Sequence, residues 1–319
     1  MALVMLNKPV ALWTDKELFW ERNRVVDCIT VILRTRGCYR AQRDPCRMCG
    51  YSIDSDANVT DKNLEKQLEF VEEEIKKRNP KILKIFTSGS FFDPRETSQK
   101  IRKKIYGMVK EYSIEKLIVE SRPEFIRSAD PEVYMEVGIG LESVNDFVRN
   151  ELINKGFSFE EYTEAHDFLK SIGVSVKAYL LLKPPFLSEK EAIDDVLNSI
   201  NLLDREKLAD IISINPTNIQ KGTYVERLWY KGYFRPPWLW SAVDVLKNSG
   251  DTPVICDPVA GGKARGPHNC YKCDGEVVKA IKNFSLTQNR DVLNLYCDCI
   301  EEWKDYMLIE RIARLPLQL

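Results

Sequence analysis

The chain has 319 residues, 47 Lys and Arg against 48 Asp and Glu, and 44% hydrophobic residues, which predicts about two domains with enough apolar content for a core. A formal net charge of −1 excludes a globally basic nucleic-acid coat, so any polyanion must be met by a local patch. No apolar run approaches the roughly 18 residues that span a bilayer. The N-terminus, Met1 to Trp13, lacks the basic start and small-residue cleavage site of an export signal, so the chain reads as cytoplasmic with no membrane role.

Short runs rich in Val and Ile alternate with segments of helical period, the pattern of parallel strands with crossover helices. Strands are expected at Cys28–Leu33, Ile82–Thr87, Lys116–Glu120, Val133–Leu141, Val174–Leu182 and Asp210–Asn215. Helices are expected at Asp61–Arg78, behind a Thr60 cap, and at Glu96–Val109, Val144–Ile153, Ser158–Ile172 and Ser188–Leu203. Six β–α units predict an α/β fold with an open or partial (β/α)6 barrel, since eight units take about 250 residues, and functional residues then belong at the carboxyl ends of the strands.

After Asn215 the texture changes, and the expected division is 1–215 for the barrel with its lead-in and 216–319 for a C-terminal region. Pro216–Trp240 crowds Lys221, Arg227, Lys231 and Arg235 beside Tyr224, Trp229, Tyr230, Tyr233, Phe234, Trp238 and Trp240. A glycine-rich basic loop, Ala260–Gly266, follows, and then a cysteine-rich tail with a packed helix at Leu308–Ala313 that stops before Pro316.

The nine cysteines are clustered, which in a cytosolic protein favours metal over disulfides. Cys28 lies in an apolar segment and reads as core. Cys38, Cys46 and Cys49 share the loop after the first expected strand. Three thiolates there can hold three irons of a four-iron cluster and leave the fourth open to a cofactor. In the tail, Cys270 and Cys273 form a CxxC, and after 23 residues Cys297 and Cys299 form a CxC, a spacing that suits a closed zinc site of four cysteines. A second iron–sulfur cluster, or a mixed site using Cys256 or His268, are the alternatives; His166 reads as structural.

With its cysteine loop the chain resembles the radical S-adenosylmethionine (SAM) enzymes. Their commonest motif has three residues in the first gap, whereas this chain has seven, a longer gap of the kind found in the elongator catalytic subunit branch. The resemblance implies Cys38, Cys46 and Cys49 as cluster ligands, with SAM on the open iron. It places Met48 where the family has an aromatic residue near the adenine, with Tyr51 as a substitute. Ile85–Asp93 stands where the family carries a Gly-Gly-Glu-type segment, so Ser88, Gly89 and Ser90 are expected SAM contacts with Asp93 as a charge partner; a plain strand-to-helix turn is the other reading. Glu120, Glu142 and Ser143 resemble the polar strand ends that hold SAM, although either Glu could instead cap or pair. Lys177 and Lys183 lie on one face of the fifth expected strand, and Lys183 is the preferred contact for a substrate or SAM carboxylate because it lies at the strand end.

Taken together, Cys38–Tyr51 and Arg265–Asp274 resemble the archaeal radical SAM enzymes of archaeosine formation. That resemblance implies a partner transferase that attaches lysine to a 7-cyano-7-deazaguanine in the tRNA D-loop. This chain would then act as a lyase, cleaving a C–N bond with an electron donor's help. The alternatives are a methylthio- or acyl-transferring tRNA modifier, and a non-catalytic iron–sulfur and zinc protein for electron transfer or scaffolding. Arg34, Arg36, Arg40, Arg43 and Arg47 either offset the charge of the cluster or form an RNA-binding rim with the aromatic stretch.

Overall fold

The computed structural model describes residues 5–313, with side chains to residue 310. Eight strands lie in one sheet in chain order: β1 (Ala11–Phe19), β2 (Arg24–Ile32), β3 (Ile82–Phe86), β4 (Lys116–Glu120), β5 (Met135–Glu142), β6 (Ser175–Leu182), β7 (Ile211–Pro216) and β8 (Val254–Cys256). The six expected strands are β2 to β7, so the fold is α/β with the strand order of a partial barrel. Two flanking strands add to it. β1 pairs antiparallel with β2 after a turn in which Asn23 takes a left-handed conformation. Its centre is polar, Thr14-Asp15-Lys16-Glu17, and exposed from Trp13 to Lys16, as befits an edge strand, and this composition hid it from an apolar-run reading. β8 has three residues, too few to show a period.

The pairs β2–β3, β3–β4, β4–β5 and β7–β8 are parallel. Parallel strands covered on both faces need nearly continuous apolar runs, and Leu117, Ile118 and Val119 of β4 are all buried.

The helices are α1 (Asp61–Arg78), α2 (Gln99–Glu111), α3 (Phe159–Ser171), α4 (Glu189–Arg205), α5 (Tyr224–Tyr230), α6 (Leu239–Lys247), α7 (Asp274–Thr287) and α8 (Cys299–Ala313). In α1, Leu64, Leu68, Val71 and Ile75 are buried on one stripe. At its start the Thr60 amide and hydroxyl both donate to Asn63 Oδ1, at 2.9 and 2.7 Å. α2 begins three residues later than expected, because Ser98 is its cap. The expected helix at Val144–Ile153 is instead a π-helical turn, Phe147–Leu152. There the fully buried Arg149 donates to the carbonyls of Ser143 (2.6 Å) and Phe157 (2.9 Å). α8 starts at Cys299, nine residues before Leu308; the expected stop before Pro316 lies outside the described residues. No helix among the described residues is long and apolar enough to cross a membrane.

Two compact units make up the chain. One comprises residues 1–44, 51–140 and 160–177, and the other residues 45–50, 141–159 and 178–319.

Candidate functional site

In the first unit, the cysteine loop leaves the carboxyl end of β2. Gln67 of α1 fixes this exit: Arg34 N donates to Gln67 Oε1 at 2.8 Å, and Gln67 Nε2 donates to the Arg34 carbonyl at 2.9 Å. One residue on, the Thr35 hydroxyl accepts from Gly37 N and donates to Glu96 Oε2 at 2.6 Å. The other oxygen of Glu96 accepts from Ser90 N at 2.7 Å. Glu96 thus joins the start of the cysteine loop to the turn after β3. It is buried, and that desolvation pushes its carboxyl up to about 7 against the hydrogen bonds that favour the anion. A Cβ on Gly89 would stand 2.8 Å from Cys38 Cα, so the absence of a side chain lets the loop lie against this turn.

The polar atoms of the turn are held in place. Ser88 Oγ donates to the Tyr51 carbonyl at 3.3 Å. Ser90 Oγ accepts from Arg122 N at 3.1 Å and keeps its own proton to give. Phe91 N donates to the carbonyl of Glu120, the last residue of β4. Asp93, expected as a charge partner, is buried and pairs with Arg95 Nε at 2.9 and 3.1 Å. Burial raises the Cys38 thiol, while hydrogen bonds from the Ala41 and Arg40 amides and the Arg122 charge oppose the rise.

Lys177 and Lys183 take separate places. Lys177, in the amino half of β6, is buried 2.6 Å from Glu136 Oε1 and 3.7 Å from Glu17. Burial alone would raise Glu136; Lys177 and Lys116 overcome it and bring the carboxyl down to about 2. Lys177 therefore belongs to a charge network away from the strand's carboxyl end.

In the second unit, Cys46 and Cys49 close one turn, Cys49 N donating to the Cys46 carbonyl at 3.2 Å. Between them Arg47 forms backbone bonds to Ile153 (2.8 Å) and Val225 (3.1 Å). Gly50 N donates to Gln220 Oε1 at 2.5 Å. Met48, expected near the adenine, packs against two apolar clusters, one of Val148, Ile153 and Leu181 and one of Ile219, Val225 and Phe234. Tyr51 is exposed.

Glu142, the last residue of β5, has a left-handed backbone with φ of 68° and pairs with Lys155 Nζ at 2.6 Å. Ser143 Oγ donates to Asp195 at 2.8 Å. Lys183, just past β6, is buried between Glu189 Oε2 at 2.7 Å and Glu310 Oε1 at 3.1 Å. Each of these residues stands at a strand's carboxyl end and is already in an ion pair or hydrogen bond. Of the acids that reach Lys183, Glu189 opens α4 just beyond the same strand-to-helix turn, whereas Glu310 of α8 lies 127 residues away, and no local signal marked it.

The tail cysteines converge. The Sγ atoms of Cys270, Cys273, Cys297 and Cys299 all lie within 4.8 Å of one another. The separations Cys270–Cys273, Cys270–Cys297 and Cys273–Cys299 are 3.7, 3.8 and 3.7 Å. Four thiolates about 2.3 Å from one tetrahedral ion stand about 3.8 Å apart along each edge, so these residues fit a single metal ion. A four-iron cluster, in which each thiolate takes a different iron, would spread them further. Trp240 Nε1 donates to Cys299 Sγ at 3.2 Å and Asn269 Nδ2 to Cys273 Sγ at 3.5 Å, outer bonds that orient ligands. Burial would raise the Cys270 thiol, but the Cys273 and Lys272 amides and neighbouring thiols bring it down to about 7. Cys256 and His268 are outside this group: Cys256 is buried in β8, bonded through its amide to Ser285, and the His268 ring stacks on Tyr271. No disulfide joins any of the nine cysteines.

The basic residues divide. Arg34 and Arg47 donate to the carbonyls of Asp54 and Glu151, Arg36 donates to that of Val59 at 2.8 Å, and Arg40 pairs with Asp44 at 3.4 Å. These four tie down the loop. Trp238, Trp240 and Phe234 are buried, whereas Tyr224, Tyr230 and Tyr233 are exposed.

No family model matches the chain. It is 39% identical over 320 residues to archaeosine synthase subunit beta of Methanosarcina acetivorans, covering 95% of this chain and 91% of that one. It is 40% identical over 294 residues to the protein of that name in Thermococcus kodakarensis, covering 86% and 90%. Among solved structures, a queuine lyase from Clostridium spiroforme bound to SAM and queuine aligns with a TM-score of 0.44 and 22% identity, over 62% of this chain and 78% of that one. At 39 and 40% identity over nearly the full length of both relatives, the chain belongs to the archaeosine synthase subunit beta family.

Proposed function

We propose that this chain is a radical SAM tRNA-modifying enzyme, the subunit that cleaves a C–N bond of a lysine-bearing 7-deazaguanine in the tRNA D-loop and leaves archaeosine. The observation that carries the reading is the three-cysteine loop at the end of β2, braced by Glu96 against the turn after β3, in a chain of this family. Cys38, Cys46 and Cys49 would hold the 4Fe-4S cluster. Ser88, Gly89, Ser90, Glu120, Glu142 and Ser143 are the strand-end groups proposed to hold SAM. When bound, cluster and SAM supply a 5′-deoxyadenosyl radical for hydrogen abstraction. The protein's own part is placement and exclusion of water: Gly89 leaves room for Cys38, and Glu96 and Gln67 fix the loop's first residues. The four tail cysteines would hold zinc as a structural ion. A subunit beta implies a partner subunit, here the lysine-transferring one, and the reaction draws on an external electron donor.

Anaerobic protein with SAM and a reductant is expected to yield 5′-deoxyadenosine, and Cys46→Ala to yield none. Mass spectrometry of nucleosides from lysine-modified tRNA after incubation is expected to show archaeosine. Persistence of the lysine-bearing base under conditions that cleave SAM would refute the substrate assignment.

A further inference from the structure

We propose that the exposed face formed by Tyr224, Arg227, Tyr230, Lys231, Tyr233 and Phe186 is where the protein stacks unpaired bases of its RNA and meets the adjoining phosphates. The inference rests on the tRNA reading above and adds the residues that touch the nucleic acid.

α5 is a firm platform. The Thr223 hydroxyl caps it, accepting from Glu226 N at 3.0 Å, and its inner side packs Val225 and Leu228 against Ile219 and Phe234. Positions 224, 227 and 231 share a face by helical spacing, and they turn outward. Tyr230 is 71% exposed, Tyr233 55%, Phe186 50% and Tyr224 36%. Large apolar rings grouped at a surface mark an interaction site rather than ordinary exposure. Tyr224 is flanked by a cation and another ring: the Arg227 guanidinium stands 5.0 Å from its ring centre, and Phe186 stands 5.9 Å from it.

The charge decides the kind of partner. From residue 217 to residue 235 the only acid is Glu226, and it is paired with Arg265 at 2.5 Å and accepts from Gly222 N at 2.7 Å. Neither Arg227 nor Lys231 makes an ion pair among the described residues. A protein interface core is depleted in Lys, whereas alternating rings and cations, with Glu226 already paired to Arg265 and Glu191 bonded to Ser188, suit single-stranded RNA, whose bases stack on rings and whose phosphates meet cations. In a chain of net charge −1, such a local patch is how a polyanion is met.

The test is anaerobic binding of fluorescently labelled tRNA to the full-length, metal-loaded protein. Tyr224→Ala/Tyr230→Ala is expected to weaken binding about tenfold for each ring lost, and Tyr224→Phe/Tyr230→Phe to restore it, because stacking needs the ring and not the hydroxyl. Lys231→Ala is expected to make the salt dependence shallower by about 0.7 in the log–log slope. Circular dichroism and metal content equal to wild type exclude misfolding. If the double Ala variant binds tRNA as tightly as wild type, the face is not the RNA site, although the tRNA reading survives. If it keeps tRNA binding but loses the partner subunit in gel filtration, the face is a protein interface and the proposal is overturned. If wild type itself does not bind tRNA, the functional reading fails first.

Discussion

Glu96 accepts two hydrogen bonds, from the Ser90 amide and the Thr35 hydroxyl, in a place closed to water. Truncation to Ala leaves both donors buried without an acceptor, a loss of about 1–3 kcal/mol, and frees the start of the cysteine loop. Glu96→Ala is therefore expected to assemble less cluster and to cleave SAM at least about tenfold more slowly, the equivalent of about 1.4 kcal/mol. Glu96→Gln, which keeps an acceptor for Ser90 N and a donor for the Thr35 oxygen, retains most of both. Iron content and 5′-deoxyadenosine yield measure this, and an Ala variant with full iron would refute the role. In the sequence Glu96 looked like the first residue of a helix. Its function became legible only when Thr35, 61 residues earlier, was found beside it.

Two elements are held by chemistry at their ends. The start of α8 supplies Cys299 to the four-cysteine group, and Cys273 immediately precedes α7. Cys270→Ser/Cys273→Ser is expected to lose about one metal equivalent, with part of the helical signal, since a closed site contributes folding energy directly. Unchanged metal content would sink the assignment. Farther along α8, Glu310 reaches Lys183, to which Glu189 also pairs; desolvation holds the Glu310 carboxyl above its ordinary value. Lys183→Met leaves two carboxylates buried without their cation and is expected to cost about 3–5 kcal/mol, read as a fall in the urea midpoint. The CxxC and CxC were legible because ligand spacing is local; the Lys183 cluster was not, because Glu310 arrives through tertiary packing from 127 residues away.

At the scale of the whole molecule, pH acts through the buried network of Lys116, Glu136 and Lys177. Glu136 has a folded pKa of about 2 against an ordinary 4.5. Its contribution is thus present above pH 4.5 and lost as pH falls toward 2, about 3 kcal/mol in all. The stability gap between wild type and Glu136→Gln is expected to be widest near pH 6 and to close between pH 4.5 and 2 in urea titrations. A gap that does not move with pH would show that the carboxylate's charge is not what stabilises the network.

By itself the sequence determined strands β2 to β7, through apolar runs that only strands covered on both faces require, and the tail cysteine group, through the short spacings that thiolate ligands need. Only the tertiary structure decided which polar groups serve each strand end. It set Lys177 in the charge network with Glu136, gave Lys183 to Glu189 and Glu310, packed Met48 into apolar clusters and left Tyr224, Tyr230 and Tyr233 facing solvent. Side-chain partnership depends on residues that folding brings together from far along the chain, and exposure depends on what packs above them, neither of which a local pattern encodes.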